Sequence, residues 1–569
     1  MNPEPFPLSP AAAGGSPQAD TRGSDGAKGR SFGALRVDLA VLAACAAALF
    51  LVAPGARDLW DPNEPIYSQA VVEMSRSGDY LVPTVNGIVF AEKPPLYFWM
   101  ALASGWLLGG LHEAALRVPL ALGGILGVLL TYLLASPYVG RSQARTAALL
   151  LSTLYMYFWS ARSVNMDLLA LLSTLAIVTA VTRVLDFGAA PALGWSLAGL
   201  AGGLGFLAKG PITCLLPALA LLLYVLTTGR LRRMMRPALM LGALVFILVA
   251  APWYVALLLT GREDLLVEVL WRQNFTRFTA AWDHARPWWY YLVGLWVDMA
   301  PWGFFVPLAA ALPGRSREHR LLDRLAWVWI FGVIAFLSFS SSKRSEYALP
   351  IAPAVAILAS GVIERLRAGA LGGRRLAAAI GIFRVLGLFM LAGAAVAVGY
   401  VPKRYPPVEK QAILVAAAAT LCALATLGAL ALRKQGRYVA QSFYMTLMVL
   451  YLVTSVAILP ALDRYKSSRG LSGKINALAP AGTPVASFRF WKWRSGFTYY
   501  VDRPIPNMIT EGELREFWNS SSPVVVLVKD DLMRKARPVL GDEMPAAEAE
   551  IGGHTMYVFK SRPVPRSGG

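Results

Sequence analysis

The sequence predicts an α-helical protein that crosses a membrane about thirteen times and ends in a small α/β domain. Three observations predict this fold class. Hydrophobic residues make up 56% of the 569-residue chain and charged residues only 15%, whereas a soluble protein carries about 25% charged residues. The mean hydropathy is +0.51. Apolar runs of spanning length follow one another up to about residue 460, and polar turns with strand-like runs follow them.

The N-terminal segment 1–34 is rich in Pro, Gly, Ala and Ser, which predicts a disordered cytoplasmic tail. No apolar stretch directly follows a short basic start, so 37–54 is interpreted as a retained first helix rather than a cleaved signal. The transmembrane part is placed at 35–460. Its spans are expected near 37–54, 115–138, 144–160, 168–186, 190–208, 211–228, 236–259, 288–312, 326–341, 348–364, 377–400, 411–432 and 439–460.

Short loops rich in Lys and Arg predict the orientation, because such loops stay in the cytoplasm. Five clusters are present, at Arg141 and Arg145; at Arg230, Arg232, Arg233 and Arg236; at Arg315, Arg317, Arg320 and Arg324; at Arg365, Arg367, Arg374 and Arg375; and at Arg433, Lys434 and Arg437. All of them fall inside if the run 95–110 does not cross the membrane. The first loop, 55–117, is then periplasmic, and the chain is expected in a bacterial inner membrane.

The C-terminal segment 461–569 is expected to form a periplasmic α/β domain. Strand-like runs occur at Pro484–Phe488, Thr498–Val501, Val524–Val528 and Met556–Phe559. The three cysteines lie inside apolar runs, which argues against a disulfide framework. The net charge of +20 comes from short clusters between membrane spans, so nucleic acid is not an expected partner.

The first loop is unusually polar and carries two pairs of candidate side chains. Asp61 and Glu64 are three residues apart, a spacing that places two carboxylates on one helical face. Helix capping is the simpler interpretation of Asp61. Glu92 and Lys93 precede two prolines, which stiffen the backbone behind them.

The predicted topology brings further polar side chains to the same side. Asp167 begins a long apolar helix, where a capping role is equally plausible on the sequence alone. Lys209 lies between two spans and either extends toward the interface or holds a phosphate. Lys343 and Tyr347, in the SSSKRSEY turn, and Arg277, in WRQNFTRF, add donors there.

Cations beside carboxylates suit one kind of chemistry. The cations would hold a lipid-linked phosphate leaving group, and a carboxylate would deprotonate an incoming hydroxyl. No GxxxxGK phosphate loop occurs, which argues against nucleotide-driven transport. The four histidines show no close pairing, so no cofactor is expected with certainty, and a single divalent metal ion bridged by Glu92 stays open.

Several motifs in order resemble the C-superfamily of membrane glycosyltransferases, in the branch of protein O-mannosyltransferases and lipid A aminoarabinose transferases. The resemblance spans roughly residues 37–510 and is carried by SGDYLVPTVNG, EKPPLYFW, RVPLAL from Arg117, ARSVNMD ending at Asp167, GFLAKGP around Lys209, HARPWWYYL and SSSKRSEYALP. A single EKPP is a weak signal, whereas seven ordered motifs are a strong one.

The resemblance implies an inverting transfer of a sugar from a polyprenyl-phosphate donor at the periplasmic face. It implies a general base in the first loop, a second acid at Asp167, and phosphate contacts from Lys93, Lys209, Tyr347 and, more weakly, Arg277. Supporting contacts are expected from Glu92, Tyr67 and Lys343.

The first loop departs from the family pattern. Where the family often reads Asp-Glu-x-Arg-Tyr, this chain has Asn63, Glu64, Pro65, Ile66 and Tyr67. Asn cannot act as a base at neutral pH, so the sequence leaves Asp61, supported by Glu64, as the expected base. A second departure is Asn274, at a position where the resemblance implies a His near a metal ion.

Lipid A or another envelope glycolipid is the expected acceptor. The alternatives are a protein hydroxyl, as in protein O-mannosyltransferases, a polyprenyl-phosphate carrier or flippase without catalysis, and a sensor or scaffold that works through 462–569. Carboxylate substitutions separate a transferase from a carrier. A carrier needs Lys93 and Lys209 but tolerates Asp61→Asn, Glu64→Gln and Asp167→Asn, whereas a transferase loses turnover with at least one of these three.

Overall fold

The computed structural model describes residues 21–234, 237–279, 284–431, 435–489 and 494–561. The first half contains α1 (Thr21–Phe50), α2 (Asn63–Ser77), α3 (Leu96–Leu107), α4 (Glu113–Ser152), α5 (Tyr155–Ala161), α6 (Asp167–Phe187), α7 (Pro191–Lys209), α8 (Ile212–Thr228), α9 (Leu231–Met234) and α10 (Ala238–Leu259). A two-stranded hairpin, β1 (Thr84–Val85) and β2 (Ile88–Val89), lies between α2 and α3.

The second half of the helical region contains α11 (Glu263–Leu266), a π-helix (Val267–Thr276), α12 (Arg277–Thr279), α13 (Tyr290–Asp298), a 3₁₀ turn (Trp302–Phe305), α14 (Val306–Ala310), α15 (Arg317–Phe339), a 3₁₀ turn (Ser345–Ile351), α16 (Ala352–Arg367), α17 (Gly373–Gly399), α18 (Val401–Arg404), a 3₁₀ turn (Pro406–Val408), α19 (Glu409–Ala431), α20 (Gln435–Val453), a second π-helix (Thr454–Ile458) and α21 (Leu459–Ala461).

In the described ranges, ten helices are long and apolar enough to cross a membrane, or eleven if the bent pair Tyr290–Asp298 and Trp302–Ala310 is one span. The chain is therefore a polytopic membrane protein, as predicted. This count is lower than the predicted number of about thirteen spans for three reasons. Helix α4 runs through two predicted spans, with a break at Gly140. Helix α8 has only 17 residues, and the predicted span 288–312 is a bent pair of short helices.

The helices on either side of the first loop differ in length from the predicted ones. Helix α3 has 12 residues and is about 18 Å long, too short for a hydrocarbon core of about 30 Å, so 95–110 does not make a full span. Helix α1 begins at Thr21, within the tail predicted as disordered. A helix extends readily from a formed span, because each added residue gains one hydrogen bond. Residues 1–20 lie outside the described residues.

Four of the five basic clusters lie together at one end of the helical bundle. Arg324 donates to the Thr227 carbonyl at 2.7 Å, Arg365 donates to the Pro313 carbonyl at 2.6 Å, and Arg367 pairs with Glu364 at 3.3 Å, whose carboxylate accepts from Thr146. The side chains of Arg433, Lys434 and Arg437 lie outside the described part. The grouping agrees with the predicted topology, but which side of the membrane this end faces stays a prediction.

Helices α7 and α10 approach each other at two glycines. A methyl group on Gly199 would overlap the Gly242 carbonyl, and one on Gly242 would lie 2.6 Å from the Trp195 carbonyl oxygen. Small residues allow such close backbone approach between membrane helices. This contact sets the position of α7, which ends at Lys209.

The C-terminal region forms the predicted α/β domain. Its mixed sheet has the order β4 (Asn507–Met508), β3 (Val485–Phe488), β5 (Val525–Lys529), β7 (His554–Lys560) and β6 (Ala547–Ile551). Strands β3, β4 and β5 are parallel, and β6 and β7 add antiparallel pairs. The remaining elements are α22 (Asp463–Lys466), α23 (Arg469–Leu478), α24 (Arg494–Val501), α25 (Glu511–Trp518), a 3₁₀ turn (Asp530–Leu532) and α26 (Met533–Leu540).

One predicted strand is wrong, since Thr498–Val501 belongs to helix α24. Phe497 and Val501 are four residues apart and both enter the domain core, which is the helical spacing. Between them, the Tyr500 hydroxyl accepts from the Leu59 backbone N–H at 2.8 Å. The β-propensity of this aromatic run is thus overridden by packing.

The C-terminal domain packs directly on the first loop. The Asp463 carboxylate accepts from the Asp58 N–H at 2.9 Å and from the Trp60 indole at 2.7 Å. The side chain of Asn86, in the β1–β2 turn, exchanges two 2.8 Å hydrogen bonds with the Ile505 backbone. The first loop is therefore held between the helical bundle and this domain.

Candidate functional site

A cavity opens where several helices end, at the end of the bundle opposite the basic clusters. It encloses about 810 Å³ of space, counting its open mouth. Its walls are Glu92, Lys93, Pro94, Asp167, Ala170, Lys209, Ile212, Leu216, Val269, Gln273, Asn274, Arg277, Phe278, Phe336, Leu337, Ser340, Ser342, Tyr347 and Pro350. Three cations and two carboxylates thus share one largely apolar pocket, where charge interactions are stronger than in bulk water.

Asp167 and Lys209 meet in this pocket because α6 begins where α7 ends. The Lys209 ammonium donates to the Asp167 carboxylate, and it also lies 4.7 Å from the centre of the Tyr347 ring. Cation–π contact adds to the attraction. The predicted grouping of Asp167, Lys209 and Tyr347 is therefore seen in the structure.

Lys93 and Glu92 reach the same pocket from the loop that precedes α3. The Lys93 ammonium donates to the Glu92 carbonyl at 3.0 Å. Burial lowers the pKa of Lys93 to about 8, and the nearby positive charges of Lys209 and Arg277 act in the same direction against the opposing effect of Glu92. A lysine with this pKa is mostly charged at neutral pH and loses its charge as the pH rises through about 8.

Arg277 enters the pocket from the end of the π-helix Val267–Thr276, together with Gln273 and Asn274. Its guanidinium donates to the Gln273 side-chain oxygen at 3.4 Å. π-Helical turns are rare and often occur at functional sites. Three polar side chains from one short segment thus line one wall.

Tyr67 and Lys343 lie beside the pocket rather than in its lining. Burial raises the pKa of the Tyr67 hydroxyl, and the charge of Glu92 adds to this effect. The Lys343 side chain is buried and donates to the Ser340 and Arg286 carbonyls. Lys343 therefore holds the turn that carries Tyr347 and does not point at the cavity.

Asp61, the base expected from the sequence, is not among the residues that line the pocket. The helix begins at Asn63 with Pro62 as its N-cap, so Asp61 does not cap α2 either. Its carboxyl group lies against Gly496 and Ser468 of the C-terminal domain. Neither oxygen has a hydrogen-bond partner among the described residues, and burial raises the pKa of Asp61 well above its ordinary value.

Glu64, which was expected to support Asp61, has hydrogen-bond partners on both of its carboxylate oxygens. Oε1 accepts from Arg57 at 3.0 Å, Arg117 at 2.9 Å and the Val164 N–H at 3.0 Å. Oε2 accepts from Arg57 at 2.5 Å, Arg117 at 3.0 Å and the Trp60 N–H at 3.2 Å. The two guanidiniums hold the pKa of Glu64 far below its usual range despite burial, so it is a poor proton acceptor.

Other pocket residues were not predicted from the sequence as site residues. These additional lining residues are Gln273, Phe336, Ser340 and Ser342. Of these, only Gln273 could have been found from the sequence, because it lies in the polar run WRQNFTRF between apolar segments. Among the described residues, no group of three or more His, Cys, Asp and Glu side chains converges as a metal site. The acidic residues of the pocket are Glu92 and Asp167, and Asp167 forms an ion pair with Lys209.

The comparisons with known proteins agree with this architecture. Residues 92–256 match the dolichyl-phosphate-mannose-protein mannosyltransferase family. The undecaprenyl phosphate-α-4-amino-4-deoxy-L-arabinose arabinosyl transferase of Pseudomonas aeruginosa PAO1 is 33% identical over 371 residues, which cover 64% of this chain and 65% of that protein. Its counterpart in Sodalis glossinidius is 33% identical, over 57% and 58% of the two chains.

The fold match extends over nearly the whole chain. ArnT from Cupriavidus metallidurans bound to undecaprenyl phosphate superposes with a TM-score of 0.76 at 20% identity, covering 93% of this chain and 98% of ArnT. The chain is therefore similar in sequence to the arabinosyl transferases and has the fold of ArnT. Its ten or eleven apolar helices of spanning length, in the part of the chain that the structure describes, make it an integral membrane protein. The chain spans less than two thirds of the length of these sequence relatives.

Proposed function

We propose that this protein transfers a sugar from a polyprenyl-phosphate donor to an acceptor hydroxyl, with lipid A or a related envelope glycolipid as the acceptor. One observation carries the proposal. The pocket brings Lys93, Lys209 and Arg277 together with Glu92 and Asp167. The donors named for the relatives, undecaprenyl phosphate sugars, present the anionic leaving group that such a set of cations binds.

The pocket residues account for each part of the reaction. Lys93, Lys209 and Arg277 bind the phosphate, and the Tyr347 ring contacts Lys209 from the side. The phosphate draws Lys209 away from Asp167, whose carboxylate becomes free to accept a proton. The acceptor oxygen then bonds to the sugar carbon from the face opposite the phosphate, the carbon–phosphate-oxygen bond breaks with its electrons leaving on the phosphate, and the hydroxyl proton passes to Asp167. The sugar carbon is inverted.

Substitution of Asp167 tests the reaction. We expect Asp167→Asn to lower turnover by roughly 10²- to 10⁴-fold, the usual contribution of a general base, while binding of undecaprenyl phosphate is retained. A carrier or flippase without catalysis would instead tolerate Asp167→Asn. Glu73→Gln, which also replaces a carboxylate by an amide but lies away from the pocket, serves as the control.

Mass spectrometry of the envelope identifies the acceptor. Lipids from cells with and without the gene should differ by a pentose-, hexose- or amino-sugar-sized increment on lipid A or a related glycolipid. The same increment on protein instead would make the chain a protein glycosyltransferase. A divalent cation would be held by Glu92, the pocket acid that does not pair with Lys209. Lower turnover in EDTA than in MgCl₂ would show that the reaction needs such a cation, and equal turnover would show that it does not.

A further inference from the structure

Glu64 connects three segments that are distant in the sequence. It lies in the first turn of α2, and it pairs with Arg57 in the first loop and with Arg117 near the start of α4. Its third partner is the backbone N–H of Val164, in the turn between α5 and α6. The Arg117 side chain is completely buried and also donates to the Arg57 carbonyl at 2.7 Å.

The turn that Glu64 holds is the turn that carries Asp167. Val164 precedes Asp167 by three residues, and the Asn165 side-chain oxygen accepts from the Asp167 N–H at 2.9 Å. Arg162 fixes the other end of this turn, since its guanidinium donates to the Leu49 carbonyl at 2.6 Å and the Val52 carbonyl at 2.9 Å. The backbone of the turn is thus attached to the first loop and to the end of α1.

We propose that Glu64 is a positioning residue that places the Asp167 carboxylate in the pocket through the Val164 N–H. A buried carboxylate between two guanidiniums has little freedom, because moving it would leave buried charges unpaired. Its contact with Val164 therefore transmits this rigidity to the 162–166 turn. The inference rests on the proposed function, since it takes Asp167 as the proton acceptor.

A double-mutant cycle tests whether Glu64 acts through Asp167. We expect Glu64→Gln to lower kcat by roughly 10- to 100-fold, the effect of a displacement of about 1 Å at a reacting group, with the Kd for undecaprenyl phosphate unchanged. Combined with Asp167→Asn, it should add almost nothing to the loss from Asp167→Asn alone. Residues that act as a unit are strongly non-additive.

Glu73 provides the matched control, because it is a second carboxylate on α2 with several hydrogen bonds. It accepts from Thr84 at 2.7 Å, Gly87 at 3.0 Å and Gln69 at 2.7 Å, and all of these lie away from the Asp167 turn. Glu73→Gln should lower the thermal unfolding temperature while kcat stays near the wild-type value. In the double variant, the fold-changes in kcat caused by Glu73→Gln and by Asp167→Asn should multiply.

The outcomes separate this inference from the proposed function. Independent, multiplying effects of Glu64→Gln and Asp167→Asn, or an unchanged kcat in Glu64→Gln, would overturn the positioning role. If Glu64→Gln does not fold, Glu64→Asp keeps the charge but shortens the reach to Val164, and the same cycle applies. An Asp167→Asn variant with wild-type kcat would instead overturn the proposed function.

Discussion

Lys93 is a pocket cation whose charge changes within an accessible pH range. Its pKa is lowered from 10.5 to about 8, so the ammonium is present below pH 8 and is lost as the pH rises through that value. A phosphate ligand needs the charged form. The Lys93 contribution to donor binding should therefore be complete near pH 6.5 and absent near pH 9.5.

We expect the Kd for undecaprenyl phosphate to increase about tenfold or more between these pH values, which is the scale of one hydrogen bond to a charged group. Titration calorimetry in detergent at several pH values measures it. Lys93→Arg stays protonated throughout and should remove this dependence, and Lys93→Gln should bind weakly at every pH. A wild-type Kd that does not change with pH would show that Lys93 does not hold the phosphate.

The location of a charged residue could be predicted from the sequence only where the residue stands at the end of an apolar run or beside a proline. Lys209, Asp167 and Lys93 stand at helix ends or beside prolines, so their place at the end of the bundle followed from the hydropathy pattern. The environment of Glu64 could not be predicted, because its partners Arg117 and Val164 lie 53 and 100 residues away in the sequence. A sequence does not show which of several carboxylates is neutralised by a distant arginine.

At the scale of elements, the turn between α7 and α8 depends on one glycine. Gly210 has φ 81° and ψ −157°, a conformation that essentially only glycine adopts. It follows Lys209 directly, and a methyl group here would lie 3.5 Å from the Asn274 side chain. The conformation of this turn therefore determines where the Lys209 ammonium points.

We expect Gly210→Ala to destabilise the protein by about 1–3 kcal/mol and to weaken donor binding, because the Lys209 backbone must shift. Gly229→Ala is the matched control, since Gly229 also has a positive φ of 68° but ends α8 away from the pocket. Gly229→Ala should lower the unfolding temperature and leave the affinity for the donor unchanged. Equal donor affinities in both variants would contradict the link between the turn and the pocket.

The elements themselves were predicted unevenly. Long apolar helices and the strands β3, β5 and β7 were expected, because burial and periodicity both favour them. The π-helix Val267–Thr276 was not expected, since no simple residue pattern marks it. Helix α24 was misread as a strand because Phe497 and Val501 pack as a helical pair, which depends on the fold rather than on local propensity.

At the scale of the whole molecule, the pocket and the basic clusters occupy opposite ends of the same helices. Helix α6 begins at Asp167 in the pocket, and near its other end Asp186 pairs with Arg230 at 3.1 Å. This arrangement predicts that the pocket faces the periplasm if the arginines remain in the cytoplasm.

Reporter fusions after Arg145 and after Lys343 test that orientation. We expect an alkaline phosphatase reporter to be active only in the second fusion, because this enzyme folds on the periplasmic side, where disulfides form. A reporter that is active only in the cytoplasm should show the reverse pattern. Activity of one reporter at both positions would reject the topology.

The contact between Gly199 and Gly242 restricts how this pocket can change during evolution. No larger side chain fits between α7 and α10 at that point, so the wall that carries Lys209 cannot be moved outward by single substitutions. The helix α15, which carries Phe336, is restricted in the same way, because a methyl group on Gly332 would lie 2.6 Å from the Leu223 side chain. We therefore expect the shape of this pocket to change through the side chains that line it rather than through movement of its helices.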